Sequence, residues 1–369
     1  MTSRSPAIAA DILRFYAERG AEAVDVPVLQ PADPFLDMAG EDLRRRIFLT
    51  ESETGQTLCL RPEFTIPVCL DHIASRADTP RRYAYLGEVF RQRREGGNEF
   101  VQGGIEDLGE TDTATADARS VADAAALLEL ALPAQPLIVT LGDQAVFEAV
   151  LAALGLPRGW QKRLARAFGA PDLLASALAD LARPPSDAAG LHEIAGSDAL
   201  TLAGKIEAAM QAAGLPASGG RTSDEIARRL LEKAELSRVH LPDAALAALK
   251  VFLAIRVPLD KAADALAAFA KGAGLKLNGA LDLFAARADA IAGHGLSAAA
   301  IHYDAAFGRP LDYYTGLVFE ITAANAGRPL VGGGRYDRLL TLLGAKTPIP
   351  GVGFSVWLDR IEQLRGGDA

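Results

Sequence analysis

The chain has 369 residues, 50% of them apolar and 23% charged, with a formal net charge of −9. That length suits two or three domains, and the apolar share excludes a globally disordered chain. The acidic balance excludes broad, sequence-blind binding to nucleic acid, which draws its affinity from neutralised phosphates.

The N-terminal stretch MTSRSPAIAADILRFYAERGAEAV carries acids early and lacks an unbroken apolar core, so it does not read as a signal peptide. Ile8, Ile12, Leu13 and Tyr16 recur on one face and predict a helix over 5–20. Between 40 and 110, IFLT, TLCL, RYAYLGEVF and FVQGGIEDLG are short β-branched and aromatic runs separated by turn signals, which predict an antiparallel sheet. A helix follows at 113–131 and a strand at 136–142. The longest uncharged, mostly apolar run, 130–142, holds two prolines and falls short of the roughly 20 residues that cross a bilayer. A protein of the cytoplasm with no membrane span is expected.

From 143 to about 295 the chain is Ala/Leu-rich, with helical periodicity broken at LGLPRG, RPPSDAAG and GLPASGG. Strand signals return at AIHYDAAF, LVFEITAA, LVGGG and GVGFSV, and LDRIEQL closes as a helix. The order predicts an α+β fold: one sheet domain built from 1–142 and 296–369, interrupted by a mostly helical insertion over 143–295. Cys59 and Cys69 lie in an apolar neighbourhood and read as buried free thiols. His72, His192, His240, His294 and His302 have no close ligand spacing, so no metal site is expected.

Four stretches carry chemistry. In LRPEFT, Glu63 and Thr65 are two apart and would share a side of a strand, or else form a solvated edge. In YLGEVFRQRREGGNEFVQGGIEDLG, the EGGN turn predicts a hairpin whose return strand puts Gln102, Gly104 and Glu106 on one face, with Arg91 closing the other strand. The alternative is a charged hairpin in water. In GRPLDYYTGLVFE, Arg309 precedes a strand on which Asp312 and Tyr314 share parity. LVGGGRYDRLL places three glycines before Arg335, Tyr336 and Asp337, without the GxxxxGK[ST] pattern of a phosphate loop. Together these supply carboxylates, an amide, hydroxyls and arginines. A free amino acid needs such a set, with carboxylates around its ammonium and an arginine fork on its carboxylate.

In this order, LRPEFT, the hairpin, GRPLDYYTGLVFE, VGGGRYD and GVGFSVWLDRI resemble the class II aminoacyl-tRNA synthetase core of histidyl-tRNA synthetases. The resemblance covers most of 1–140 and 300–365. It implies an antiparallel sheet flanked by helices and a histidine pocket made of Glu63, Thr65, Arg91, Gln102, Glu106, Arg309, Tyr314 and Tyr336. Arg360 falls on the last arginine of the core.

Three departures accompany it. Only residues 361–369 follow Arg360, where synthetases continue into an anticodon-binding domain, so that domain is expected to be missing. Arg93 stands where the family has a glutamate on the ATP side, and Trp357 stands where it has glycine. These imply that histidine recognition is kept while ATP and tRNA handling are lost.

A histidyl-type core of this kind is similar to the ATP phosphoribosyltransferase regulatory subunit family. That resemblance implies a non-catalytic chain with no cofactor, assembled with the short catalytic ATP phosphoribosyltransferase subunit. The complex performs the first step of histidine biosynthesis and answers to feedback by histidine. It further implies a homodimer, free L-histidine as ligand, and neither tRNA nor membrane as partner. The alternative is a truncated or divergent histidyl-tRNA synthetase, favoured by the retained Arg309 and Arg360.

Overall fold

Asp112 accepts the backbone N–H of Thr115 and opens the helix Thr113–Ala131. The apolar residues Ala116, Val121, Ala124, Leu127 and Leu128 of that helix are wholly covered, because it lies against the sheet rather than in water. In a computed structural model, which describes residues 8–38, 43–94, 97–182, 194, 197–214, 222–237, 241–298, 300–309, 311, 313–324 and 326–366, this helix backs the larger of two sheets, of nine and three strands.

With strands numbered along the chain, the larger sheet runs β1 (Glu22–Ala23), β5 (Arg81–Phe90), β6 (Glu99–Leu108), β12 (Gly351–Trp357), β11 (Val331–Arg335), β10 (Leu317–Ala323), β7 (Leu137–Asp143), β9 (Ile301–Asp304) and β8 (Arg256–Pro258). The central pairs are antiparallel, while β1–β5 and β7–β9 are parallel. The smaller sheet is β2 (Leu29–Pro31), β4 (Thr57–Leu60) and β3 (Leu49–Glu51). IFLT and TLCL, expected in the main sheet, therefore pair with each other in a separate ribbon.

Two local expectations give way to different geometry. LRPEFT is not a strand: β4 ends at Leu60 and a helix runs Thr65–Ser75. Pro67 suits the first turn, where backbone N–H groups have no intrahelical partner. The described residues of GRPLDYY (Gly308, Arg309, Leu311, Tyr313 and Tyr314) are likewise outside any strand, and regular pairing starts at Leu317. Strand parity thus does not apply to Tyr314, and Asp312 lies outside the described residues, as do His192 and His240.

The expected insertion over 143–295 is tied to the core more closely than its composition suggests. β8 adds to the sheet edge beside β9, and helix Asn278–Gly293 packs on helix Thr113–Ala131. Buried Arg287 on the former donates to Asp117 at 2.6 Å and to Asp143, while Arg335 of β11 donates to Asp117 at 2.7 Å. Buried charges persist only when paired in this way. Among the described residues a separate small apolar cluster lies around Leu202, Ala203 and Ala227, on the helices Ala199–Ala212 and Ser223–Ser237.

Cys59 and Cys69 are free and buried. His72 shares a hydrogen bond with the Tyr83 hydroxyl at 2.8 Å, a structural role. Among the described residues no group of three His, Cys, Asp or Glu side chains could hold a metal ion, and no helix is long and apolar enough to cross a membrane.

Candidate amino-acid site

The register of the central strands puts one set of side chains on one face. Glu106, Gly104 and Gln102 of β6 stand opposite Gly353, Ser355 and Trp357 of β12. Gly353 and Ser355 in turn stand opposite Gly334 and Gly332 of β11. Small residues in adjacent rows leave a trough, and two of the glycines make room for charged groups. A Cβ on Gly353 would overlap the Glu106 carboxylate, and one on Gly332 would overlap the Arg309 guanidinium.

Glu63 sits just before helix Thr65–Ser75 and accepts the backbone N–H groups of Thr65 (2.7 Å) and Ile66 (2.9 Å). It therefore does the work of an N-cap, satisfying donors the helix leaves over. Thr65, the first residue of that helix, donates its hydroxyl to Glu106 at 2.7 Å. Helix start, rather than strand parity, brings Glu63 and Thr65 to the same wall. Glu106 also accepts from the hydroxyls of Tyr85 (3.2 Å) and Tyr336. Burial pushes the Glu106 carboxyl up to about 8, against the pull of those hydroxyls, and pushes Glu63 up as well.

The opposite charge suffers in the same cavity. Arg91 donates its Nε to the Pro62 carbonyl at 2.7 Å, and burial pushes its guanidinium down to about 10 despite the nearby Glu63. Each charged group is thus less favourable in its ionised form than it would be in water. Arg309 reaches the same trough, with its Nε unpartnered among the described residues and Tyr314 beside it. The Gln102 amide oxygen, on a side chain 1% exposed, is also without a donor there. Buried polar atoms are rarely left so, and a water or a polar ligand in the cavity would satisfy this pair.

All eight residues expected for histidine are brought together: Glu63, Thr65, Arg91, Gln102, Glu106, Arg309, Tyr314 and Tyr336 line one cavity. Sequence reading missed Tyr85, which bonds Glu106 and Ser355, and Tyr313, whose ring meets Tyr336 edge-on at 5.9 Å. The signal for Tyr85 was Gly104, its cross-strand partner, since a glycine opposite an aromatic leaves space for the ring to lie across it.

Arg93 and Trp357 lie at the other end of the trough. The Arg93 guanidinium stacks on Phe100 at 3.4 Å and pairs with Asp359 at 3.4 Å. Trp357, 6% exposed, lies between Arg360 (4.4 Å from its ring) and Arg309 (5.8 Å). Arg360 donates to the Pro329 carbonyl, and burial lowers it to about 10.

Residues 2–228 and 199–361 match the family model described as histidyl-tRNA synthetase. The chain is 71% identical over 369 residues to the ATP phosphoribosyltransferase regulatory subunit of Mesorhizobium japonicum, covering 99% of both chains. It is 65% identical over 370 residues to that of a Chelativorans species, again covering 99% of both. The chain belongs to the ATP phosphoribosyltransferase regulatory subunit family. The fold agrees: a crystal structure described as an ATP phosphoribosyltransferase regulatory subunit/histidyl-tRNA synthetase from Bacillus halodurans superposes with a TM-score of 0.67 at 20% identity, covering 96% of this chain and 77% of that one. The chain thus has a histidyl-type class II synthetase fold.

Proposed function

We propose that free L-histidine occupies the carboxylate trough of this non-catalytic regulatory subunit, and that it does so while the chain is assembled with a catalytic ATP phosphoribosyltransferase subunit. One observation carries the ligand reading. A single cavity holds a carboxyl pushed up to about 8 and a guanidinium pushed down to about 10, both by burial. A cation relieves the first and an anion the second, so an amino-acid zwitterion relieves both at once. Glu106, Glu63 and Thr65 take the ammonium, Arg309 with Arg91 the carboxylate, and Gln102, Tyr314 and Tyr336 enclose the imidazole.

In the complex, histidine acts as the feedback signal of the pathway whose first step the partner performs. The subunit works in the cytoplasm as a homodimer that pairs through its N-terminal region, and it does not charge tRNA. The inserted unit is proposed to be the helical stretch outside β8 and helix Asn278–Gly293. Calorimetry with the twenty amino acids tests the ligand: selective heat for histidine supports it, and equal or absent heat rejects it. Light scattering at micromolar concentration tests the dimer.

A second reading, a divergent histidyl-tRNA synthetase, draws on the retained Arg309 and Arg360. Histidine-dependent ATP–pyrophosphate exchange at a synthetase's rate would establish it. The regulatory reading predicts none.

A further inference from the structure

A second cavity of ≈ 590 Å³ adjoins the trough and shares the wall of Arg309, Leu311, Tyr313 and Tyr314 with it. Its size lies within the roughly 300–1,000 Å³ of small-molecule sites. On a chain of net charge −9 its lining is strongly basic: Arg158, Lys162, Arg166, Arg309 and Arg338 face it, against one carboxylate, Glu148. That carboxylate is already engaged, taking Arg338 at 3.4 Å and the Gln144 amide at 3.0 Å.

The helix Arg158–Ala167 supplies three of these cations. Its sequence, RGWQKRLARA, contains no acid. Arg158, Lys162 and Arg166 recur at a spacing of four, so they share one helix face and repel one another. Arg158 also stands at the first helical position, where the helix dipole disfavours a cation. Neither arrangement helps the helix form. The remaining cation, Arg163, points elsewhere and has a carboxylate partner in Asp180 and a ring contact with Trp160. Among the described residues no ion pair is formed by the three that face the cavity. Folding alone therefore does not account for them, whereas an anion bridging the cavity would.

We infer that this cavity binds a small anion carrying two or more linked phosphates. The fork of each arginine matches phosphate oxygens, and several cations converging on one concave space suit a multiply charged head better than a single carboxylate. An extended acidic peptide or an RNA strand would want an open stripe of charge. Here the cations line one concave space that ends on the Arg309–Tyr314 wall.

The test is titration of the full chain with inorganic pyrophosphate by calorimetry, and with ADP in a parallel arm. Wild type should bind pyrophosphate, with affinity falling as salt rises. Lys162→Glu/Arg166→Glu, both surface positions, should weaken it by at least about tenfold, as expected for removing two charge-assisted contacts. Arg163→Gln, on the other side of the helix, should change little, and circular dichroism should show all three proteins folded. Tighter binding of ADP would make the ligand a nucleotide, and equal binding would make the phosphates sufficient; either supports the inference. No pyrophosphate binding to wild type, undiminished binding in the double variant, or competition by polyglutamate or RNA where pyrophosphate fails to compete would overturn it.

Discussion

Gly353 and Trp357 stand four residues apart on the same strand and face the same trough, yet one keeps space open and the other fills it. At the Gly353 end, the missing side chain admits the carboxylate of Glu106, held by Thr65, Tyr85 and Tyr336. At the Trp357 end, an indole is buried among arginines, and Arg93 closes the rim onto Asp359. Synthetase chemistry needs an amino acid and a nucleotide side by side on one sheet. In this chain one end of the sheet face keeps polar groups in reserve and the other is packed. On the proposed function, recognition stays at the open end while the indole of Trp357 occupies space at the other.

The largest expected effect comes from opening the packed end. Trp357→Gly should lower stability by about 3–5 kcal/mol, the usual cost of removing a buried large aromatic, as read by urea denaturation. Histidine should still bind, because Glu63, Thr65 and Glu106 lie away from the indole, although the indole borders Arg309. A loss well under that range would show that the indole is only a surface cover, and a matching loss of histidine binding would erase the distinction between the two ends.

The next effect lies at the open end. Glu106→Ala should weaken histidine binding by about 1–3 kcal/mol, the range for charge-assisted hydrogen bonds, by calorimetry. Equal affinity in variant and wild type would remove Glu106 from the ligand set.

A smaller effect is proton linkage. The Glu106 carboxyl is pushed up to about 8 in the fold, against about 4.3 in an unfolded chain. The folded state therefore holds a proton that the unfolded state has released between those values. Its contribution to stability is full below the unfolded value and is lost as pH rises through the folded one. Thermal unfolding of the ligand-free protein from pH 5 to 9 should show that decline, and Glu106→Gln should flatten it. Histidine binding should reverse the preference: the ammonium favours the carboxylate, so roughly one proton should leave on binding at pH 7, and the release should shrink as pH rises through about 8. Calorimetry in buffers of different ionisation enthalpy reads that number directly.

Much of this contrast was legible in the sequence. The helix at 113–131 was set by an aspartate cap and an alanine-rich run, and Gln102, Gly104 and Glu106 by the period of two along β6. Trp357 and Arg93 were visible only by resemblance, since neither breaks any local rule. Glu63 and Thr65 were found by a wrong step. Parity on a strand and the start of a helix both place them together, and the proline of TIPVCL was the overlooked cue. GRPLDYY misled because tyrosines favour strands, while regular pairing starts only at Leu317. The tie between Arg287, Asp117 and Asp143 lies far along the sequence, and no local pattern announces it.

The measurement that bears most directly on the regulatory reading is the rate of a short catalytic ATP phosphoribosyltransferase subunit, alone and mixed with this chain, with free histidine added to each. Association should raise the catalytic rate, histidine should suppress it in the mixture, and Glu106→Ala should blunt that suppression while leaving the activation intact. A catalytic subunit indifferent to this chain, alongside histidine-dependent pyrophosphate exchange by this chain alone, would contradict it.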